Sequence, residues 1–246
     1  TFPNDVLKPQ NAAYICQRYS NSYHFATLYD RAMRIPVYSA YKYQPGSVQR
    51  PDTWSFVEPQ LISNNNLKEM EREWVLIGNQ NITIDQINAS QAVLEDYEKA
   101  IFWDRGSLSP SGHHDGRGSK TATFTLTNTV PQDINLYTDQ WYKYESEIMS
   151  KYSKDCTTTY VITGAVPGNS YISDNRVNIP SHIWSAACCL NGTEPMKAWG
   201  IIFENTNSDA NTTHLGELEE KLSTRYSRGN VNLFDSACPR QRISRP

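Results

Sequence analysis

Histidines and polar loops are where chemistry is first expected in this chain, because an imidazole can accept a proton near neutral pH and a glycine-rich loop can hold a phosphate. His113 and His114 stand side by side in a long polar loop. That loop continues with residues 115–120 (DGRGSK), whose spacing does not match a nucleotide-binding phosphate loop. The other histidines are isolated and lack the two-histidine spacing of a metal site, which favours structural or surface roles: His24, His182 and His214. By themselves these residues predict no reaction.

The cysteines are five, an odd number, and lack the C-x-x-C spacing of a zinc site. No motif of a cysteine nucleophile surrounds any of them, which argues against cysteine catalysis. Adjacent cysteines on an extended segment point to opposite faces, so at least one of Cys188 and Cys189 is expected to pair with a distant cysteine. We expect two disulfides and one buried, inert thiol, with the connectivity left open among all five: Cys16, Cys156, Cys188, Cys189 and Cys238.

Four asparagines stand in the Asn-x-Ser/Thr acceptor motif for N-linked glycans: Asn81, Asn88, Asn191 and Asn211. Such motifs also arise by chance in a chain rich in asparagine and threonine, but four together favour use. No apolar segment is long enough to span a bilayer, and the chain starts at Thr1 without a methionine, so we expect that a leader has been removed. The sequence therefore predicts a secreted, extracellular glycoprotein with disulfide bonds and no membrane partner.

The composition is that of an ordinary globular protein, with 246 residues, 38% of them hydrophobic and 20% charged. A chain of this length forms one large domain or two small ones. It has no internal repeat and no clear linker, so we expect a single domain over residues 1–246, with a mobile basic tail from about residue 239. The formal net charge of -3 gives no general attraction for a polyanion, so charge supports a nucleic-acid partner only weakly. The oligomeric state is left open.

Mixed strands and helices without regular alternation favour an α+β fold. Residues 121–127 alternate apolar residues with threonines, which is typical of a half-buried strand. A helix is expected after Thr138, with apolar residues at helical spacing from Trp141 to Tyr152. Further strands are expected over 34–43, 100–103, 159–166, 176–179, 182–187 and 198–203, and further helices over 67–74, 91–99 and 215–226.

Four blocks of the chain are similar to a known family: residues 104–110 (DRGSLSP), 124–132 (FTLTNTVPQ), 160–168 (YVITGAVPG) and 179–189 (IPSHIWSAACC). With Trp141 and Glu145 between them, these blocks resemble the DNA/RNA non-specific endonucleases with a ββα-metal active site, and most of all the secreted endonuclease domain-containing 1 group. The likeness runs from about residue 12 to residue 203, with the blocks in the same order. It implies an α+β fold with a central, mostly antiparallel sheet flanked by helices. It also implies hydrolysis of phosphodiester bonds in DNA and RNA with one magnesium ion.

The family's site residues carry over only in part. In the family, a histidine after the Asp-Arg-Gly turn accepts a proton from water, and an asparagine at the start of the next helix holds a hydrated metal ion. The resemblance places the phosphate-contacting arginine at Arg105, an asparagine at Asn128 and the helix glutamate at Glu145. Ser107 occupies the general-base position, and a serine cannot accept a proton near neutral pH. Tyr137, eight residues before Glu145, occupies the position of the metal-binding asparagine.

Some side chains could replace the missing groups. Asn135 could take the metal if its loop shifts, and His113 or His114 could act as a displaced base, but a shift of two residues re-aims a side chain. For the rest of the motif, an ion pair of Asp104 with Arg105 at the strand end is the alternative to a phosphate site.

Loss of the base and of the metal ligand removes two separate sources of catalysis. Loss of a general base alone lowers a rate by about 10²–10⁴-fold, and the cation's charge stabilisation would be lost as well. We therefore expect a secreted glycoprotein with the nuclease fold that does not cleave nucleic acids usefully, needs no cofactor, and acts in ligand binding or extracellular defence. The alternatives are an active, magnesium-dependent DNA/RNA endonuclease with a displaced base, and a structural or storage protein.

Overall fold

A six-stranded antiparallel sheet organises the chain, with the strand order β1-β2-β3-β6-β9-β10. The computed structural model describes residues 3–138, 140–206 and 209–241, except the side chains of Tyr137 and Thr138. The strands are β1 (Ala12–Tyr19), β2 (Ser22–Asp30), β3 (Ile35–Lys42), β4 (Trp103–Ser107), β5 (Thr129–Asp133), β6 (Thr158–Val166), β7 (Ser170–Ile172), β8 (Val177–Ile179), β9 (His182–Asn191) and β10 (Glu194–Glu204). Outside the large sheet, β4 pairs with β5 and β7 with β8, each as an antiparallel ribbon.

Helices cover both faces of the large sheet. They are α1 (Glu73–Asn79), α2 (Ile84–Ser90), α3 (Leu94–Glu98), α4 (Arg117–Ala122), α5 (Gln140–Lys143), a π-helical turn (Tyr144–Ile148), α6 (Met149–Tyr152) and α7 (Leu215–Tyr226). In the part of the chain that the structure describes, none of them has the length and apolar composition that a membrane crossing requires.

The central strands β6 and β9 of the large sheet are buried on both sides, in keeping with their near-continuous apolar runs. On one face, Leu215, Leu218 and Leu222 of α7 pack with Trp184 and Leu7. The larger core lies on the other face, between the sheet and the remaining helices and ribbons. The α+β class and the central antiparallel sheet flanked by helices are therefore confirmed.

Two disulfides link β9 to distant parts of the chain. Cys189 pairs with Cys156, and Cys188 pairs with Cys238, so the adjacent cysteines reach partners in different directions as expected. Cys16 is the thiol left over, but it is exposed, which corrects the expectation of a buried one. The odd cysteine lies on the edge strand β1, where alternate side chains face solvent.

The C-terminal segment is held down at Arg240, inside the stretch expected to be mobile. The Arg240 guanidinium forms an ion pair with Glu219 of α7, with 3.0 Å between Nε and Oε1. It also donates to the carbonyl oxygens of Phe234 and Cys238. Residues 242–246, the rest of the expected tail, lie outside the described residues.

The alternation at residues 121–127 does not form a strand, which corrects that prediction. The segment contains the end of α4 and a 3₁₀ turn (Leu126–Asn128). Its threonines are buried rather than facing solvent, because their hydroxyls bond inside the protein: Thr121 to the Arg117 carbonyl, Thr123 to the Lys120 carbonyl, and Thr127 to Gln17 and Thr125. The alternation of apolar residues with threonines therefore predicted a strand where the chain forms a helix end and a 3₁₀ turn.

Other predicted elements shift along the chain. The helix expected over 67–74 is α1, which starts at Glu73, and Ser90 ends α2 rather than capping the next helix. The strand expected over 100–103 is β4, which starts at Trp103 and leaves Ile101 and Phe102 exposed. The strands β1 and β2 were not predicted, whereas α7 has the predicted bounds.

A first testable prediction concerns Gly164 in β6, against which the buried Trp184 ring lies. A Cβ at this position would come within 2.2 Å of Trp184 Cζ2 and 2.7 Å of the Val37 carbonyl oxygen. Gly164→Ala should therefore lower the free energy of unfolding by about 1–3 kcal/mol, measured by urea denaturation. Gly78→Ala is the matched control, since a Cβ there meets nothing within 4 Å and alanine favours the helix. Equal urea midpoints for the two variants would show that the close packing of Trp184 is not needed.

Candidate active site

The ribbon of β4 and β5 carries two of the residues singled out in the sequence, Arg105 and Ser107. In its register, Arg105 pairs with Pro131 and Ser107 pairs with Thr129. Gly106 lies so close to β5 that an added Cβ would be 2.2 Å from Gln132 Oε1, so glycine permits this pairing. α4 lies between β4 and β5 in the chain, and the helix that starts at Gln140 follows the paired strands.

Arg105 is an exposed residue at the middle of β4. Its Nη1 donates to Ser55 Oγ at 2.9 Å. The Asp104 carboxylate accepts a hydrogen bond from the Arg105 backbone N–H, with 2.7 Å between the two atoms. The guanidinium is thus exposed at the ribbon and bonded to the Ser55 hydroxyl, and its planar geometry suits phosphate oxygens.

Asn128 is fully buried, and the protein uses all of its hydrogen-bonding capacity. Its Oδ1 accepts from Ser39 Oγ at 2.8 Å and from the Ser109 backbone N–H at 3.0 Å. Its Nδ2 donates to the carbonyl oxygens of Ser109 and Thr123, both at 3.0 Å. A side-chain amide has two donors and two acceptor lone pairs, so no capacity is left for a ligand. In this structure Asn128 positions the segments around the ribbon.

Glu145 lies in the π-helical turn, on the far side of the loop that follows β4. Burial raises the pKa of its carboxyl to about 8, so the group is mainly neutral at pH 7. Its backbone carbonyl accepts a hydrogen bond from His113 Nε2 at 2.9 Å.

His113 and His114 are buried, and both nitrogens of each ring have partners. His113 Nδ1 accepts from the Tyr41 hydroxyl at 2.8 Å, while Nε2 donates to the Glu145 carbonyl. His114 Nε2 lies 2.6 Å from Ser109 Oγ, and its Nδ1 lies 2.7 Å from Ser119 Oγ. Burial lowers the pKa of each imidazole to about 4. Both rings are therefore neutral and fixed at neutral pH.

Tyr137, at the position of the family's metal-binding asparagine, and Asn135, its possible substitute, lie in the 3₁₀ turn Ile134–Thr138 that follows β5. The Tyr137 side chain lies outside what the structure describes. Asn135 is exposed, and both its backbone N–H and its Nδ2 donate to Asp133 Oδ1, at 2.8 and 3.0 Å. Across residues 3–138, 140–206 and 209–241, no group of three or more histidine, cysteine or acidic side chains is arranged to hold a metal ion.

The family's metal position offers a magnesium ion a poor donor here. Proteins hold Mg²⁺ through one or two carboxylates and several waters. The nearby Asp133 carboxylate accepts both hydrogen bonds from Asn135 at Oδ1. A phenol at position 137 is a poorer ligand for this hard cation than an amide oxygen.

Comparison with known proteins gives the same family as the sequence blocks. The family model described as DNA/RNA non-specific endonuclease matches residues 2–236. The Endonuclease domain-containing 1 protein of Homo sapiens is 32% identical over 232 residues, which cover 91% of this chain and 43% of that protein. The Mus musculus protein of the same name is 30% identical over 216 residues, which cover 85% of this chain and 41% of that protein. The chain thus spans less than half the length of these relatives.

A solved structure shares the fold. The crystal structure of the EndoG/EndoGI complex, described as showing the mechanism of EndoG inhibition, matches with a TM-score of 0.57 and 18% sequence identity. The match covers 85% of this chain and 83% of that chain. At this identity the likeness concerns the fold, which is that of the ββα-metal nucleases.

A second prediction follows from Glu145. An unfolded glutamate has its pKa near 4.5, below the value of about 8 in the folded protein. The folded protein therefore binds the extra proton between these values, and the wild type loses stability relative to Glu145→Gln as pH rises from about 4.5 to about 8. We expect a relative change of about 1 kcal/mol or more, after allowance for partial exposure, from urea denaturation at several pH values.

His113→Gln is the control with the opposite sign. The histidine pKa falls from 6.5 to about 4 on folding, so the wild type loses stability relative to this variant as pH falls through that range. Glutamine can still accept from Tyr41 and donate to the Glu145 carbonyl. Stability differences from wild type that do not change with pH in either variant would show that Glu145 and His113 are not both neutral in the folded protein.

Proposed function

The chain belongs to the DNA/RNA non-specific endonuclease family, and we propose that it is a secreted glycoprotein that binds nucleic-acid phosphates on this fold without cleaving them efficiently. The observation that carries the proposal is that the imidazole rings nearest the ribbon in sequence are buried and already hydrogen-bonded within the protein. Ser107 stands where the family has its base, and the two nearest histidines in sequence, His113 and His114, are buried with both ring nitrogens bonded.

A displaced base is poorly supported by this arrangement. A general base must be within hydrogen-bond reach of the proton it removes, with a pKa near the working pH. His113 and His114 have pKa values of about 4, and their protein hydrogen bonds would have to break before either ring could reach water at the ribbon. His24, the next histidine of the region, bonds to the Tyr19 carbonyl through Nε2 at 3.0 Å.

Magnesium-dependent catalysis is also poorly supported, because the donors at the expected position do not suit the ion. The proposal therefore includes no cofactor and no metal-assisted step. Base and metal supply separate parts of the rate enhancement, so the loss of one is not restored by the other.

Phosphate binding requires neither the base expected at position 107 nor the metal ligand expected at position 137. Arg105 keeps an exposed guanidinium, whose geometry suits phosphate oxygens. With a chain net charge of -3, any such contact depends on local arginines rather than on the overall field. A non-catalytic binding role, in extracellular defence or another setting outside the cell, is consistent with this chemistry.

Secretion is supported by the two disulfides, which persist in oxidising compartments. The acceptor asparagines differ in their surroundings. Asn81, Asn191 and Asn211 are exposed, whereas Asn88 lies in α2 with its Oδ1 buried and with Ser90 of its motif buried. We propose glycans at the three exposed sites.

The third prediction tests catalysis. The wild-type chain at micromolar concentration should leave plasmid DNA intact with Mg²⁺ or Mn²⁺, whereas Ser107→His combined with Tyr137→Asn should gain metal-dependent cleavage of about 10²-fold or more over wild type. Cleavage is measured by gel electrophoresis. Adding Arg105→Ala to the double variant should abolish the gain, which separates designed cleavage from a contaminant. Equal, EDTA-sensitive cleavage by wild type and double variant would establish an active enzyme instead.

The fourth prediction tests secretion and glycans. Expressed with a secretory leader in eukaryotic cells, the chain should appear in the medium and lose mass on treatment with a glycan-cleaving amidase. Asn81→Gln, Asn191→Gln and Asn211→Gln should each remove one glycan from the intact mass, and Asn88→Gln should remove none. Glycan loss in the Asn88 variant alone would contradict the assignment from burial.

A further inference from the structure

Two tryptophans beside Arg105 stand out from the rest of the aromatic residues. We infer that Trp54 and Trp74, held by Arg72, form a stacking surface for the unpaired bases of a single nucleic-acid strand whose phosphate lies at Arg105. The inference rests on the proposed function, because it takes the phosphate contact at Arg105 from there. It adds a preference for single strands over duplexes.

The tryptophan pair is exposed although indole rings are usually buried. Trp54 and Trp74 are 61% and 52% exposed, and their ring centroids lie 6.4 Å apart with the planes at 87°. Trp141, Trp184 and Trp199 are in contrast fully buried in the cores. A pair of large aromatic rings in solvent is typical of an interaction surface.

Arg72 contacts the Trp74 ring and the residue that precedes Trp54. Its guanidinium carbon lies 5.5 Å from the centroid of the Trp74 ring and 5.7 Å from that of the buried Phe56 ring. Its Nη2 also donates to Thr53 Oγ1 at 3.4 Å. The cation–π contact holds Trp74 on one side of the arginine, so a base stacking on the ring would lose little side-chain entropy from the protein.

One short segment connects this pair to the phosphate arginine. Trp54 contacts Trp74, and the next residue, Ser55, accepts from Arg105 Nη1 at 2.9 Å. Consecutive Cα atoms are about 3.8 Å apart, so the stacking and phosphate positions are close enough for neighbouring nucleotides of one strand.

The surface around the tryptophan pair has both arginines and carboxylates, among them the exposed Asp104 beside Arg105, so phosphate contacts there depend on individual guanidiniums rather than on local net charge. Arg50 and Arg105 are exposed, with the Arg50 guanidinium 5.1 Å from the Phe124 ring, whereas Arg72 is half-buried. Nearby carboxylates bond to backbone amides, Glu71 to that of Arg72 and Glu73 to that of Leu94, and Asp52 is an exposed acidic neighbour. The surface therefore combines arginines with aromatic rings, as proteins that bind single strands do.

The geometry favours a single strand over a duplex. In a duplex the faces of the bases are covered by their neighbours in the stack, and only groove edges and phosphates are accessible. Exposed indoles can stack only on bases that are free of such neighbours. Arginine contacts to phosphates, in contrast, serve both forms.

The test compares a labelled 20-residue oligothymidine with a 20-base-pair duplex by fluorescence anisotropy, using the full chain in EDTA at one fixed salt concentration. Trp54→Ala combined with Trp74→Ala should weaken oligothymidine binding roughly tenfold or more and change duplex binding little. Trp54→Phe combined with Trp74→Phe should keep part of the affinity, since phenylalanine still stacks. Tyr23→Ala is the control, because Tyr23 is also exposed and aromatic but lies on β2.

The outcomes separate this inference from the proposed function. Arg105→Ala should weaken the binding of both oligonucleotides, and oligothymidine should quench the tryptophan fluorescence of wild type but not that of the double alanine variant. Oligothymidine binding that is unchanged in the folded double alanine variant, or absent from wild type, overturns the stacking surface. Plasmid cleavage by wild type would instead overturn the proposed loss of catalysis and leave the stacking result standing.

Discussion

The hydrogen bonds of the buried Asn128 amide are the interaction on which the geometry of the site depends. They join β3 through Ser39, the chain after β4 through Ser109, and the end of the α4 region through Thr123. A buried donor or acceptor without a partner costs about 1–3 kcal/mol, so a network in which every bond is made specifies one arrangement of these segments. The ribbon of β4 and β5 is thereby fixed on the central sheet.

The same network extends to the histidines. Ser109, which bonds to Asn128, also bonds to His114 through its hydroxyl. On the other side of the loop, His113 links Tyr41 of β3 to the backbone of the π-helical turn. Groups that look catalytic in the sequence are thus the connections between sheet, ribbon and helix, and their neutral state follows from their burial.

The sequence predicted those strands and helices whose apolar pattern is compatible with only one kind of secondary structure. Apolar runs bounded by turns gave β3, β6 and β9, and leucines at helical spacing gave α7. The threonine-rich segment failed because a threonine hydroxyl can be buried when it bonds to a carbonyl, and a binary pattern does not contain that information.

At the candidate site, too, some features could be predicted from the sequence and others could not. The family resemblance assigned Arg105, Ser107 and Glu145 to their positions on ribbon and helix, but it could not indicate that Asn128 uses all four of its hydrogen bonds internally. Polar residues are expected at the surface, and only the folded structure shows which of them are buried. Ser107, in contrast, is half-buried at the end of β4, and Tyr137 lies in the short 3₁₀ turn after β5. The Asn128 bonds hold the segments around the ribbon through residues other than Ser107, so a change of side chain at that strand end removes none of these four bonds.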